Sequence, residues 1–143
     1  MTGDLAARQA ALVATLTSGA PVPPGFDPRL VGVARQALLR KRAGEVARTW
    51  PMLSASFGES WRETFAAWAA QRPTNGSLRD GWDLARSSPL SGAAAAELAG
   101  REAAFRYDGH GAPVPRRRPL SGRVRRISLW ESGRLWTRFR SKG

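Results

Sequence analysis

A chain of 143 residues fits one domain, or one domain with an appended tail. Hydrophobic residues at 42% and six tryptophans supply enough apolar surface for a packed core and exclude a wholly disordered chain. With no cysteine, disulfides, thiolate nucleophiles and zinc–thiolate sites are excluded, and the formal charge of +12 directs attention to acidic partners.

From the N-terminus, Leu5, Leu12, Val13 and Leu16 recur with Gln9 along one stripe, which predicts an amphipathic helix over Asp4 to Thr17. The start Met1-Thr-Gly-Asp-Leu lacks the charged and apolar regions of a signal peptide. No segment approaches the roughly 18 apolar residues of a membrane span. A cytoplasmic location is therefore expected, without a membrane partner. Ser18 to Gly25, rich in Pro and Gly, predicts a loop.

Asp27-Pro28 is a helix start: the carboxylate accepts from free amides, and proline suits the first helical position. This second helix is expected to run to Thr49, since Pro51 disfavours helical geometry at Trp50. Leu30, Ala34, Ala37, Leu38 and Val46 are expected to line its apolar side, with Arg35, Arg40, Lys41, Arg42 and Arg48 largely elsewhere.

Met52 to Phe57 predicts a short helical turn closed by Gly58. Trp61, Phe65 and Trp68 recur at i, i+4 and i+7 on a helix expected over Ser60 to Gln71. That spacing points to core packing before a ligand platform. Ser77-Leu-Arg-Asp80 resembles a capping box for the next helix, which carries Leu78, Trp82 and Ala85 on one stripe and stops at Ser87-Ser88-Pro89. A last helix is expected from Ser91 to Tyr107, with Ala94, Leu98, Glu102 and Phe105 on one face, before the turn Asp108-Gly-His-Gly111.

Beyond this point the texture changes. Residues 1–108 hold 13 Lys/Arg against 10 Asp/Glu, whereas 109–143 hold 10 against Glu131 alone. The expected organisation is a mainly α, multi-helix domain over 1–108, of five to six helices. A basic linker and a β-hairpin follow over 109–143. Pro113 to Pro119 reads as the extended linker; Ile127–Trp130 and Leu135–Phe139 flank Glu131-Ser-Gly133 as the hairpin.

Catalytic parts are few. His110 is the single histidine and reads as a solvated turn residue. Glu59/Glu63 and Asp80/Asp83 could each put two carboxylates on one helical face, but Arg62, Arg79 and Arg86 stand beside them, and surface ion pairing is the expected outcome. No enzymatic activity, metal or cofactor is expected. The binding candidates are Arg116, Arg117, Arg118, Arg125 and Arg126, joined by Trp130, Trp136 and Arg138 on one hairpin face. Guanidinium forks with stacking surfaces suit phosphate groups or an acidic partner.

One segment resembles a known family. Thr49-Trp50-Pro51, Leu53, Phe57-Gly58, the Trp61/Phe65/Trp68 stripe, Arg72-Pro73 and Leu78-Arg79-Asp80-Gly81-Trp82 resemble the helical domain often labelled "DNA-binding". A similar domain forms the helical part of the partner subunit in methanobactin biosynthesis. Another is fused to the barrel of some actinobacterial multinuclear non-haem iron oxidases. The resemblance covers roughly residues 5–108. It implies an accessory protein that binds an iron-dependent barrel oxidase and helps engage a ribosomally made precursor peptide. Only about 35 residues follow the helices here, fewer than the sheet domain usual in that family, which weighs on peptide recognition more than on oxidase binding. The alternative is a nucleic-acid binder using the basic C-terminal segment.

Overall fold

The computed structural model describes residues 2–117. The helices are α1 (Thr2–Ser18), α2 (Pro28–Thr49), α3 (Pro51–Phe57), α4 (Trp61–Ala69), α5 (Ser77–Ser87) and α6 (Gly92–Ala104). A single 3₁₀ turn, Gly58–Ser60, joins α3 to α4, and two short strands follow α6: β1 (Phe105–Arg106) and β2 (Val114–Pro115). The mainly helical architecture is as the periodicity predicts. The hairpin expected over 127–139 lies outside the described residues, as do Arg118, Arg125, Arg126, Trp130, Trp136 and Arg138.

The local signals at the start of α2 act as expected. Asp27 accepts from the Arg29 amide at 2.8 Å, and Pro28 occupies the first turn. The loop before it doubles back on α1: the Thr15 hydroxyl donates to the Pro21 carbonyl at 2.8 Å, and the Arg8 guanidinium lies over the Phe26 ring.

α2 is the central element, packed against α1, α3, α4 and α5. Its buried face is not the one the pattern suggests. Val31, Leu39, Ala43 and Val46 point into the core, while Leu30, Ala34, Ala37 and Leu38 are exposed. Of the expected apolar side, only Val46 is core. The reason is that α2 carries apolar residues on two opposite faces, and tertiary packing covers the one that meets α4 and α5, where Trp61 donates to Ala43 O. Two of its arginines are likewise drawn inward: Arg35 donates to the Ala70 carbonyl, and Arg42 to the Arg72 carbonyl and Asp80.

The core is dominated by rings. Trp50, Phe65 and Trp82 are fully buried, and Trp61 nearly so. Trp50 meets Trp82 edge-on at 5.7 Å. Trp61, Phe65 and Trp68 form a run of tilted contacts, so the aromatic stripe of α4 is core packing, with Trp68 half-buried. The buried indoles have partners: Trp50 Nε1 donates to Leu78 O at 3.0 Å, Trp61 Nε1 to Ala43 O at 3.1 Å, and Trp82 Nε1 to Glu102 Oε1 at 2.8 Å. Gly81 permits the closest approach: a Cβ at that position would collide with the Trp50 indole.

The α2–α3 junction leaves helix-end groups that α6 satisfies. Glu97 accepts from the Leu53 amide at 2.8 Å in the first turn of α3, and Arg101 donates to the Thr49 carbonyl at the end of α2. An anion thus meets a helix N-terminus and a cation a C-terminus, both favoured by the helix dipole. Arg101 also stacks over Trp50, 4.2 Å from the ring centroid.

Three local expectations are corrected. Ser77 is not the cap of α5. Gly76, with φ of 88°, holds that position, and the Ser77 hydroxyl accepts from Thr49 instead. Asp80, buried rather than surface-paired, accepts from Arg42, Thr74 and the Asn75 amide. α6 ends at Ala104, not Tyr107, because Phe105–Arg106 turns extended and pairs antiparallel with Val114–Pro115, Phe105 opposite Pro115. Part of the expected linker is therefore a strand against the helical body.

Candidate functional site

The arginines singled out by the sequence begin where β2 returns to α6. The Arg116 amide donates to Ala104 O at 2.8 Å, and its Nε donates to Glu102 O at 2.9 Å and Phe105 O at 3.2 Å. These are carbonyls left open at the end of α6, so this guanidinium caps a helix. Arg117 is exposed beside it. Arg106, which is not among the arginines expected from the sequence, comes from β1 to the same place. The three arginines, with Val114 and Pro115, line a cleft of about 520 Å³. Arg106 could have been found only by knowing that β1 and β2 pair.

Next to this cleft a polar cluster joins α5, α6 and Tyr107, the residue after β1. Glu102 accepts from Arg86 Nε at 2.8 Å, from Arg86 Nη2 at 3.0 Å and from Trp82. The Tyr107 hydroxyl donates to Asp83 at 3.1 Å and accepts from Arg79 Nε at 3.4 Å. The Arg86 hydrogen bonds hold the Glu102 carboxyl below its ordinary pKa, aided by the Trp82 bond and against desolvation. Burial pushes the Tyr107 phenol up, with the Arg79 bond opposing and the Asp83 bond adding.

Because the folded Glu102 pKa is lowered, its contribution to stability is complete above the ordinary value and is lost as pH falls through the folded one. Glu102→Gln, which keeps an acceptor for Trp82 but not the charge, should cost up to about 1 kcal/mol at pH 7 for so exposed a pair. The difference from the parent should shrink below pH 4.5, the ordinary carboxylate value. Urea midpoints measured from pH 7 to 3 check this; a difference constant with pH would contradict it.

His110 is exposed. Its amide, with that of Gly111, donates to Asp108, whose carboxyl is thereby held below its ordinary pKa. Glu59 and Glu63 are also exposed. The pairing expected with Arg62 is not formed: the ion pairs among the described residues are Lys41–Glu45, Arg42–Asp80 and Arg86–Glu102. Asp80 and Asp83 have separate partners, Arg42 and Tyr107. No group of three or more His, Cys, Asp or Glu is placed to hold a metal among the described residues. No helix there is long and apolar enough to cross a membrane.

The second surface is the outward side of α2. Leu30 is 69% exposed and Val33 66%, with Leu38 at 37%. Ala34 and Ala37 lie between them, also exposed. A cleft of about 640 Å³ between α2 and α4, lined in part by Arg35, Arg40, Arg62 and Glu63, occupies another side of the helix.

Comparison with known proteins concerns the helical body. An 89-residue stretch is 43% identical to a UPF0276 protein of Streptomyces avermitilis, covering 62% of this chain and 18% of that protein. No solved structure matches the chain. The family described as "SCO6045-like, C-terminal domain" matches residues 6–89, which hold most of α1, all of α2 to α5 and the core tryptophans Trp50, Trp61 and Trp82. The chain belongs to the SCO6045-like C-terminal domain family.

Proposed function

We propose that this chain is a non-catalytic partner of a larger polypeptide of the UPF0276 class. By the family resemblance, that polypeptide is a multinuclear non-haem iron oxidase acting on a ribosomally made precursor peptide in the cytoplasm. One observation carries the reading: the matching stretch is 18% of the relative's length, so the same kind of domain occurs there within a much longer chain. In this reading the domain meets the larger component through non-covalent contact. The sequence supports the division of labour, with one histidine and no cysteine to offer as ligands or nucleophiles.

In this reading the helical body docks, and Arg117 with the more distal Arg126, Trp130, Trp136 and Arg138 engages the precursor peptide. Copurification with the UPF0276-class protein of the same organism tests it. A stable pair, formed with or without precursor peptide and raising product yield, is the expected outcome. Separate elution of the two proteins under all conditions would refute it.

A second reading is favoured by one feature, the convergence of Arg106, Arg116 and Arg117 ahead of a segment with eight further Lys/Arg. As a nucleic-acid binder the chain would lose affinity steeply with salt. Fluorescence anisotropy with a mixed DNA duplex and a single strand at two salt concentrations separates the readings; flat curves at low salt dispose of the second.

A further inference from the structure

We propose that the outward stripe of α2, centred on Leu30, Val33 and Leu38, is the surface that docks onto the UPF0276-class polypeptide. This rests on the function proposed above and adds the face by which the two meet.

At 100° per residue, positions 30, 33, 34, 37 and 38 fall within one arc of about 140°. That arc lies opposite the side on which Leu39, Ala43 and Val46 enter the core. Nothing in the packing of the described residues calls for leucine and valine there, because polar residues on that side would leave their core untouched. A contiguous exposed apolar stripe on a helix, with anchors at i, i+3, i+4, i+7 and i+8, is the geometry by which a helix enters a groove on another protein.

Charge around the stripe selects the occupant. Arg29 and Arg40 flank it on one side, while Lys41 and Arg48 continue it toward the C-terminal end, all four exposed. The single acid of α2, Glu45, lies 3.9 Å from Lys41. A second copy of this chain would set these cations against their equivalents. The chain's own residues 118–143 carry eight Lys/Arg against one acid, so they meet the same repulsion. The surface fits a foreign apolar groove with an acidic rim. Its position agrees: the stripe lies inside the family segment 6–89, whereas the arginine cleft and basic tail lie beyond it. A docking face belongs to what the family shares.

The test is the affinity of full-length chain for the UPF0276-class protein of the same organism, for the parent and for the double variant Leu30→Asp/Val33→Asp. Both side chains are mostly exposed and outside the core, and an acid at Leu30 lies in the first turn, where the dipole favours it, so the variant should keep its helical circular dichroism and melting temperature. Its Kd should rise more than tenfold, while Leu5→Asp and Met52→Asp, at exposed apolar residues off α2, leave it unchanged. Radical footprinting of the parent pair gives a second readout that no misfolding can imitate: Leu30, Val33 and Leu38 should be protected and Met52 not. Binding by the parent with equal binding by the double variant and no protection at Leu30 would overturn the face alone. Absence of binding by the parent would overturn the partner as well. Concentration-dependent dimerisation, abolished by Leu30→Asp/Val33→Asp, would assign the face to a second copy and overturn the proposal.

Discussion

Asp80→Ala should destabilise the protein by about 3–5 kcal/mol, the usual cost of removing one partner from a buried ion pair. Asp80 is 2% exposed, and its Oδ2 lies 3.0 Å from Arg42 Nη2. The same carboxylate accepts from the Thr74 hydroxyl at 3.2 Å and the Asn75 amide at 3.1 Å, which ties the α4–α5 turn to α2. Without it, the Arg42 guanidinium keeps the Arg72 carbonyl and its place over the Phe65 ring, 5.8 Å from the centroid, but loses its counter-charge in a largely buried site. The turn at 74–76 also loses both anchors. The double variant Arg42→Met/Asp80→Leu should recover part of the loss, because it removes the uncompensated charge along with the bond. Urea unfolding of the parent, Asp80→Ala and the double variant measures this. A loss below 1 kcal/mol for Asp80→Ala would mean that the pair is solvated and not structural.

Trp50→Ala should cost a comparable amount, about 3–5 kcal/mol, by cavity formation and lost burial. Trp50 is 0% exposed at the junction of α2 and α3. It touches Trp82 edge-on, donates to Leu78 O, carries Arg101 over its face and lies against Gly81. Four elements meet at this ring: the α2–α3 corner, α5 and α6. Since total stabilities are about 5–15 kcal/mol, such a loss removes a large part of the margin. The melting temperature should fall by about 10–20 °C for a chain of this size. Trp50→Phe should lose less, keeping an apolar ring but leaving the Leu78 carbonyl without the indole donor. Calorimetric melting of both variants checks the order; equal losses would place the energy in the hydrogen bond and not in the packing.

Helix number and most boundaries were legible because their determinants are local. Asp27-Pro28 starts α2 through one hydrogen bond made two residues away, and Pro51 and Gly58 bracket α3 by restricting or freeing their own dihedrals. The Trp61/Phe65 spacing is core for the same reason: a helix with large rings every turn has to bury them. Periodicity points to the outward stripe of α2 as its core side, because Leu30, Ala34, Ala37 and Leu38 are a better amphipathic pattern than Val31, Leu39, Ala43 and Val46. Periodicity reports that a face is apolar, and is silent about what covers it. The end of α6 at Ala104 is not legible locally, because the residues that stop it, Val114 to Arg116, come about ten positions later in the chain.

The sequence by itself determined a helical body with its turns, and a steep rise in positive charge toward the C-terminus, since dihedral preference, capping and composition act over a few residues. Only the tertiary structure decided that Asp80 answers Arg42, that Arg101 and Glu97 close the α2–α3 corner, and that Arg106 joins Arg116. These pairs are separated by 10 to 52 positions. Charge and size set what each side chain can do, but which neighbour it meets depends on how the helices stack. That stacking also turned a leucine–valine stripe outward, where another protein can reach it.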